Sequence, residues 1–186
     1  MRREKMNNKG FSLVELIIVI AIMAVLIVVL APQYLKYVEK SRNSTDVTNA
    51  TEIVTAIQVY AADPDVAAGD MLAAGTYTIT VGGTGTNISD EKVALALKAA
   101  GFDVTTGSNS TMATTCVSKT AWGSYIITVK VEADGNVKFE YSATSAASGA
   151  TDADNSKATQ NFKDAMAGKK IGSGSPAGGG GTETNP

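Results

Sequence analysis

Glu15 stands at the entrance of an apolar run, Leu16–Ala31, that contains no charged or polar side chain. Burying a glutamate in hydrocarbon costs on the order of 2–3 kcal/mol even on lenient scales, so a carboxylate in that place calls for a partner. The plainer alternative is a glutamate that snorkels into the headgroups, and then its replacement by alanine would leave everything intact. Other chemistry is thinly supplied. The chain has no histidine, which removes Ser-His-Asp and Cys-His catalysis and any His-ligated metal. Cys116 is the only cysteine, so no intramolecular disulfide can form, and it reads as a small buried apolar residue. Asp152 and Asp154 hint at calcium, but the spacing of a calcium-binding loop is missing and a solvated loop is the better reading. Gly83-Thr84-Gly85 lacks the third glycine of a dinucleotide loop and reads as a turn. The residues therefore point to no catalytic group, no cofactor, no metal and no small-molecule substrate.

The elements around Glu15 fit a membrane. As a helix, Phe11–Ala31 would run about 31 Å, matching a hydrocarbon core of about 30 Å. Arg2, Arg3, Lys5 and Lys9 precede it and set the leader on the cytoplasmic side and the rest outside. A secretory signal would have a shorter apolar core with a small-residue cleavage site after it. A plain signal-anchor helix would explain neither Gly10 before Phe11 nor Glu15 at the membrane entry.

Lys9-Gly10-Phe11-Ser12-Leu13-Val14-Glu15 and the unbroken apolar run after it resemble the type III leader of type IV pilins and their pseudopilin relatives. The resemblance spans Lys9 to about Arg42. It implies that a membrane peptidase cuts between Gly10 and Phe11 and that Phe11 is then N-methylated. Glu15 matches the family's acidic residue five positions into the mature chain. No Arg or Lys lies between Phe11 and Leu35, so the amine released at Phe11 is the only cation the segment itself offers. That amine could meet Glu15 within one subunit or between neighbours. The resemblance implies the intersubunit pairing, which would set axial register as subunits are added.

Pro32 ends the apolar run and cannot donate to the Val28 carbonyl, so a kink or local unwinding is expected there. Either it lets the stem extend during stacking, as the resemblance implies, or it is a passive bend at the membrane exit. Beyond it, Ala50, Ile53, Val54, Ile57, Tyr60 and Ala61 form one helical stripe. Glu39, Lys40, Arg42, Asp46, Glu52 and Gln58 are assigned to the solvated remainder. The helix should run to Ala62, stop before Asp63-Pro64, and have a weak spot at Asn43–Asp46.

Tyr77–Val81 reads as a strand and Gly82–Thr86 as a flexible turn. Ser89 would cap a helix over Asp90–Ala100, with Gly101 as its stop. Tyr125–Val131 and Val137–Tyr141 form a hairpin about Asp134-Gly135-Asn136. A register opposing Ala133 to Val137 sets Glu132 against Lys138 and Lys130 against Glu140. It avoids the Lys130–Lys138 opposition of the next even register, so a three-residue loop is expected, with the apolar face on the stem helix. Trp122 is placed at the core's edge, Ser142–Lys157 in a solvated loop and Asn161–Lys170 in a short helix. Gly172–Pro186 carries no apolar anchor.

The expected fold is α+β, a long N-terminal hydrophobic and then amphipathic helix packed on a small antiparallel sheet. Residues 1–10 are the leader, 11–62 the stem, 63–171 the head and 172–186 a Gly-rich tail. The formal charge is −2. Loss of Met1–Gly10 takes four cations and Glu4 with it and leaves −5, which argues against nucleic acid as a partner. What the resemblance implies is a non-enzymatic pilus subunit. It would be stored in the cytoplasmic membrane, processed by a prepilin peptidase and methyltransferase, and passed to a pilus assembly platform. It would end as a homopolymer in an extracellular filament. The family often closes the head with a disulfide, and its absence here suggests a Gram-positive or clostridial-type pilin. The rival readings are a pseudopilin of a secretion or DNA-uptake system and a tethered monomeric adhesin.

Overall fold

The structure, a computed structural model, describes residues 12–107 and 109–171. It divides into two compact units between Val38 and Glu39.

One helix, α1 (Leu13–Ala62), contributes to both units. In the first unit its large apolar side chains from Leu13 to Leu30, and Leu35 after them, are exposed. This stretch is long and apolar enough to cross a membrane. The helix continues through Pro32 without interruption.

In the second unit α1 buries one stripe. Ala50, Ile53 and Ile57 lie fully inside, as the spacing required. The expected weak spot at Asn43–Asp46 is instead regular helix, with Asn43 and Asp46 buried. The threonines of this polar stretch satisfy their own hydroxyls on the helix, Thr45 on the Ser41 carbonyl and Thr48 on that of Ser44, at 3.1 and 2.9 Å, and so do not need a tertiary partner. Asp46 is drawn inward by partners on another segment, described below.

The rest of the second unit is a six-stranded antiparallel sheet, with α2 (Glu91–Ala99) and α3 (Asp152–Met166). Its strands are β1 (Gly75–Gly82), β2 (Gly85–Ile88), β3 (Val104–Thr105), β4 (Ser110–Met112), β5 (Ser124–Val131) and β6 (Val137–Thr144), in the order β3-β4-β2-β1-β5-β6. The long helix on a small antiparallel sheet is the α+β architecture expected. One core joins the α1 stripe to Ile79 and Val81 of β1, Ile127 and Val129 of β5, and Leu97 of α2. Phe162 of α3 stacks on Tyr125 at 4.6 Å and meets Trp122 edge-on at 5.0 Å. Trp122 is therefore at the centre of this core rather than at its edge, with no exposed surface.

Several local expectations shift. The hairpin opposes Val131 to Val137 and Lys130 to Lys138, the register that the charge argument rejected. Its loop is still three residues, Ala133-Asp134-Gly135, set one position earlier. Glu132 N–H donates to the Asn136 carbonyl at 2.8 Å, and Gly135 takes φ +84° to close the turn. The opposed lysines are neutralised diagonally, Lys130 by Glu140 and Lys138 by Glu132. Diagonal neighbours are within reach of long side chains, so direct opposition was too narrow a test.

Ser89 does not cap α2. Its hydroxyl accepts from Thr78 N–H, and Asp90 is the cap, accepting from Lys92 N–H at 2.8 Å. Gly101 ends the helix at φ +93°, with its N–H on Lys98 and that of Phe102 on Leu97. The stretch Ser142–Lys157 is not a loop throughout: β6 reaches Thr144 and α3 opens at Asp152. Thr151 and Asp154 cap each other reciprocally, so Asp154 serves a helix N-terminus. The short helix expected over Asn161–Lys170 is the second half of α3, which stops at Met166. The Gly172–Pro186 tail lies outside the described residues.

Candidate functional site

The entrance of α1 explains where Glu15 points. Ser12 precedes the first helical residue and Glu15 is the third residue of the helix. Glu15 Oε2 accepts the backbone N–H of Ser12 at 2.9 Å. This is the acidic half of a capping box, in which the third helical residue reaches back to satisfy a donor the helix leaves open. Glu15 thus has a polar partner that is not a cation. The pattern Ser12-x-x-Glu15 signals it in the sequence, and a search confined to cations passes over it. Gly10 and Phe11 lie outside the described residues. Pro32 sits within the exposed apolar length, in continuous helix.

A second constellation was assigned to solvent in the sequence. Asp46 has no exposed surface and accepts four hydrogen bonds from the segment between β4 and β5. Val117 N–H donates to Oδ1 at 2.9 Å, while Ser118 N–H at 3.0 Å and Trp122 Nε1 at 2.9 Å donate to Oδ2. The Cys116 thiol completes the set on Oδ2 at 3.4 Å. Two turns earlier, Glu39 Oε1 accepts from the Ser118 hydroxyl at 2.9 Å, Lys119 N–H at 2.7 Å and Thr120 N–H at 2.8 Å. Its other oxygen lies 3.5 Å from the Arg42 guanidinium. Four successive peptide N–H groups, from Val117 to Thr120, are thus taken by two carboxylates of one helix.

The electrostatics follow the geometry. Burial, then the charge of Asp46 and the bond to it, push the Cys116 thiol up to about 12. Burial and the same carboxylate raise the Tyr125 phenol. Partial burial works to raise the Glu39 carboxyl, but the Lys119 and Thr120 N–H groups and the Ser118 hydroxyl outweigh it and hold it below its ordinary value. Cys116 is buried as expected, with a polar partner in addition. A signal for the clamp was present. Ala50, Ile53 and Ile57 continued backwards at spacings of three and four reach Asp46, Asn43 and Glu39, the same face of α1.

Comparison with known proteins bears on the helix entrance. Residues 5–31 match the model of the prokaryotic N-terminal methylation motif. In this motif the chain is similar to type IV pilin proteins. Among curated proteins it is 32% identical over 111 residues to the type IV major fimbrial protein FimA of Dichelobacter nodosus, covering 60% of this chain and 58% of that protein. It is 34% identical over 67 residues to the type IV major pilin protein PilA of Myxococcus xanthus (strain DK1622), covering 35% of this chain and 30% of that protein. This pilin-like chain thus spans less than two thirds of the length of either relative. No solved structure matches it. Among the described residues, no group of three His, Cys, Asp or Glu side chains is placed to hold a metal ion.

Proposed function

We propose that this chain is a structural subunit of a type IV pilus. The stored form is a membrane-anchored precursor with its leader in the cytoplasm and its head outside. A prepilin peptidase cuts between Gly10 and Phe11, and Phe11 is N-methylated. An assembly platform then draws the subunits from the membrane into a surface filament for adhesion, motility or biofilm. The carrying observation is the methylation motif running into a helix whose apolar side chains are exposed and whose only charge before Lys36 is Glu15. That surface is kept from water first by lipid and then by other copies of α1. In the packed state Glu15 exchanges the Ser12 N–H for the Phe11 amine of a neighbour, and Pro32 marks where α1 yields on stacking. The single Cys116 favours a disulfide-free subtype of the Gram-positive or clostridial kind. The protein is a substrate of its processing enzyme and not itself an enzyme.

Replacement of Glu15 by alanine tests the reading. Membrane insertion should be unchanged while filaments are lost. Filaments at wild-type abundance would remove the pairing role. A pseudopilin shares the helix entrance and differs in polymer length, so sheared surface fibres rich in this chain favour the pilus over a secretion apparatus.

A further inference from the structure

The two carboxylates that hold the segment Cys116–Trp122 differ in what surrounds them. Asp46 has no exposed surface and belongs with Trp122 to the core. Glu39 retains 13% of its side-chain surface and is the first residue of the second unit. Between Glu39 and Asp46, α1 buries no apolar side chain; Asn43 alone is buried there, and its Oδ1 has no hydrogen-bond partner. That part of the helix is therefore held to the sheet-bearing unit chiefly through the Glu39 bonds. Local openings start where few apolar contacts support the hydrogen bonds.

We propose that the Glu39 contact is a latch that opens on its own, freeing α1 from Glu39 to Thr45 and the loop at Lys119 and Thr120, while Asp46 keeps Val117 and Ser118 on the helix. Opening releases about seven residues, roughly 10 Å of helix. The trigger is protonation of Glu39, which removes the charge that its three donors and Arg42 satisfy. The charged group facing it is Arg42 on its own helix, whose guanidinium lies 3.5 Å from its second oxygen, while Lys119 on the loop offers its peptide N–H. Asp46, two turns along the same face, has its own four donors. The sign follows from the depressed Glu39 carboxyl. The latch is at full strength above the ordinary carboxylate range and weakens as pH falls through the lower folded value. The latch stands whether or not the chain polymerises.

Amide hydrogen exchange on the full chain in detergent micelles, corrected for intrinsic rates, tests this at Val117, Ser118, Lys119 and Thr120. In Glu39→Ala, protection at Lys119 and Thr120 should fall about tenfold or more, as loss of charge-assisted bonds gives, with Val117 and Ser118 held. In the wild type the same pair should lose protection as pH falls below the ordinary carboxylate range. In Glu39→Gln, whose amide does not titrate, no such acid-dependent loss should occur. Unchanged protection in Glu39→Ala would overturn the latch. So would all four amides opening together, or an acid loss that persists in Glu39→Gln.

Discussion

Trp122 donates its indole N–H to Asp46 Oδ2 across 2.9 Å, and neither side chain has any exposed surface. The pair ties the centre of the core to the long helix. Removing the acceptor would strand four buried or half-buried donors at once. Asp46→Ala should therefore cost about 3 kcal/mol or more, since each unsatisfied buried donor costs about 1–3 kcal/mol. Trp122 is the only tryptophan, so its fluorescence during denaturant unfolding reports the loss. A change within about 0.5 kcal/mol, the range of ordinary surface substitutions, would show that the clamp contributes nothing.

Tyr125 offers the opposite case. Its ring is fully buried against Phe162, but its hydroxyl has no hydrogen-bond partner. Tyr125→Phe keeps the ring and removes the unpaired group, so stability should rise or hold within about 1 kcal/mol. A loss above that, in the same unfolding measurement, would mean that the hydroxyl is bonded in solution.

The chain should be alkali-labile. Well below pH 9 the Cys116 thiol is neutral in both the folded and the unfolded chain. Above it the unfolded thiol ionises while the folded one, at about 12, does not, so stability is lost progressively as pH rises between the two. Tyr125, also raised, adds to the loss above its ordinary value of 10.0. Unfolding curves from neutral pH upward should show the decline, and Cys116→Ala should remove its earliest part. Consistent with the same shift, folded Cys116 should resist thiolate-directed alkylation at neutral pH.

Gly123 is constrained by space. A Cβ there would stand 2.8 Å from Ala146 Cα and 3.0 Å from the Ser145 carbonyl oxygen, both backbone atoms. Gly123 N–H also bonds the Thr144 carbonyl at 2.8 Å, which fixes that approach. Gly123→Ala should lower stability by about 1–3 kcal/mol, the usual cost of overpacking. An unchanged melting temperature would show that the link between β6 and α3 moves aside freely.

The sequence made some parts of this molecule readable and others not, for definite reasons. The apolar run, the Ala50–Ile57 stripe and the alternation in β5 were legible because a single period carried each. The sheet's other edge was not, since β3 and β4 are two and three residues long and hold no period. The beginning of α3 was hidden because only Ala158 and Phe162 are buried along it, and Asp154 took the capping position more often held by glutamate. The hairpin partners slipped by two positions because charge pairing was judged straight across rather than diagonally. At the candidate site, Glu15 was found by its cost in lipid, but Asp46 was missed because a charge on a helix reads as solvated. The donors that make its burial favourable, the Val117 and Ser118 N–H groups, the Trp122 indole and the Cys116 thiol, lie on a distant segment, and no local pattern announces them.

The central claim is that the chain is cut after Gly10 and methylated before it joins a filament. Mass spectrometry of the N-terminal peptide from sheared surface fibres measures this directly. The account predicts a peptide that begins at N-methylated Phe11. A peptide that begins at Met1, or at any residue other than methylated Phe11, would contradict it.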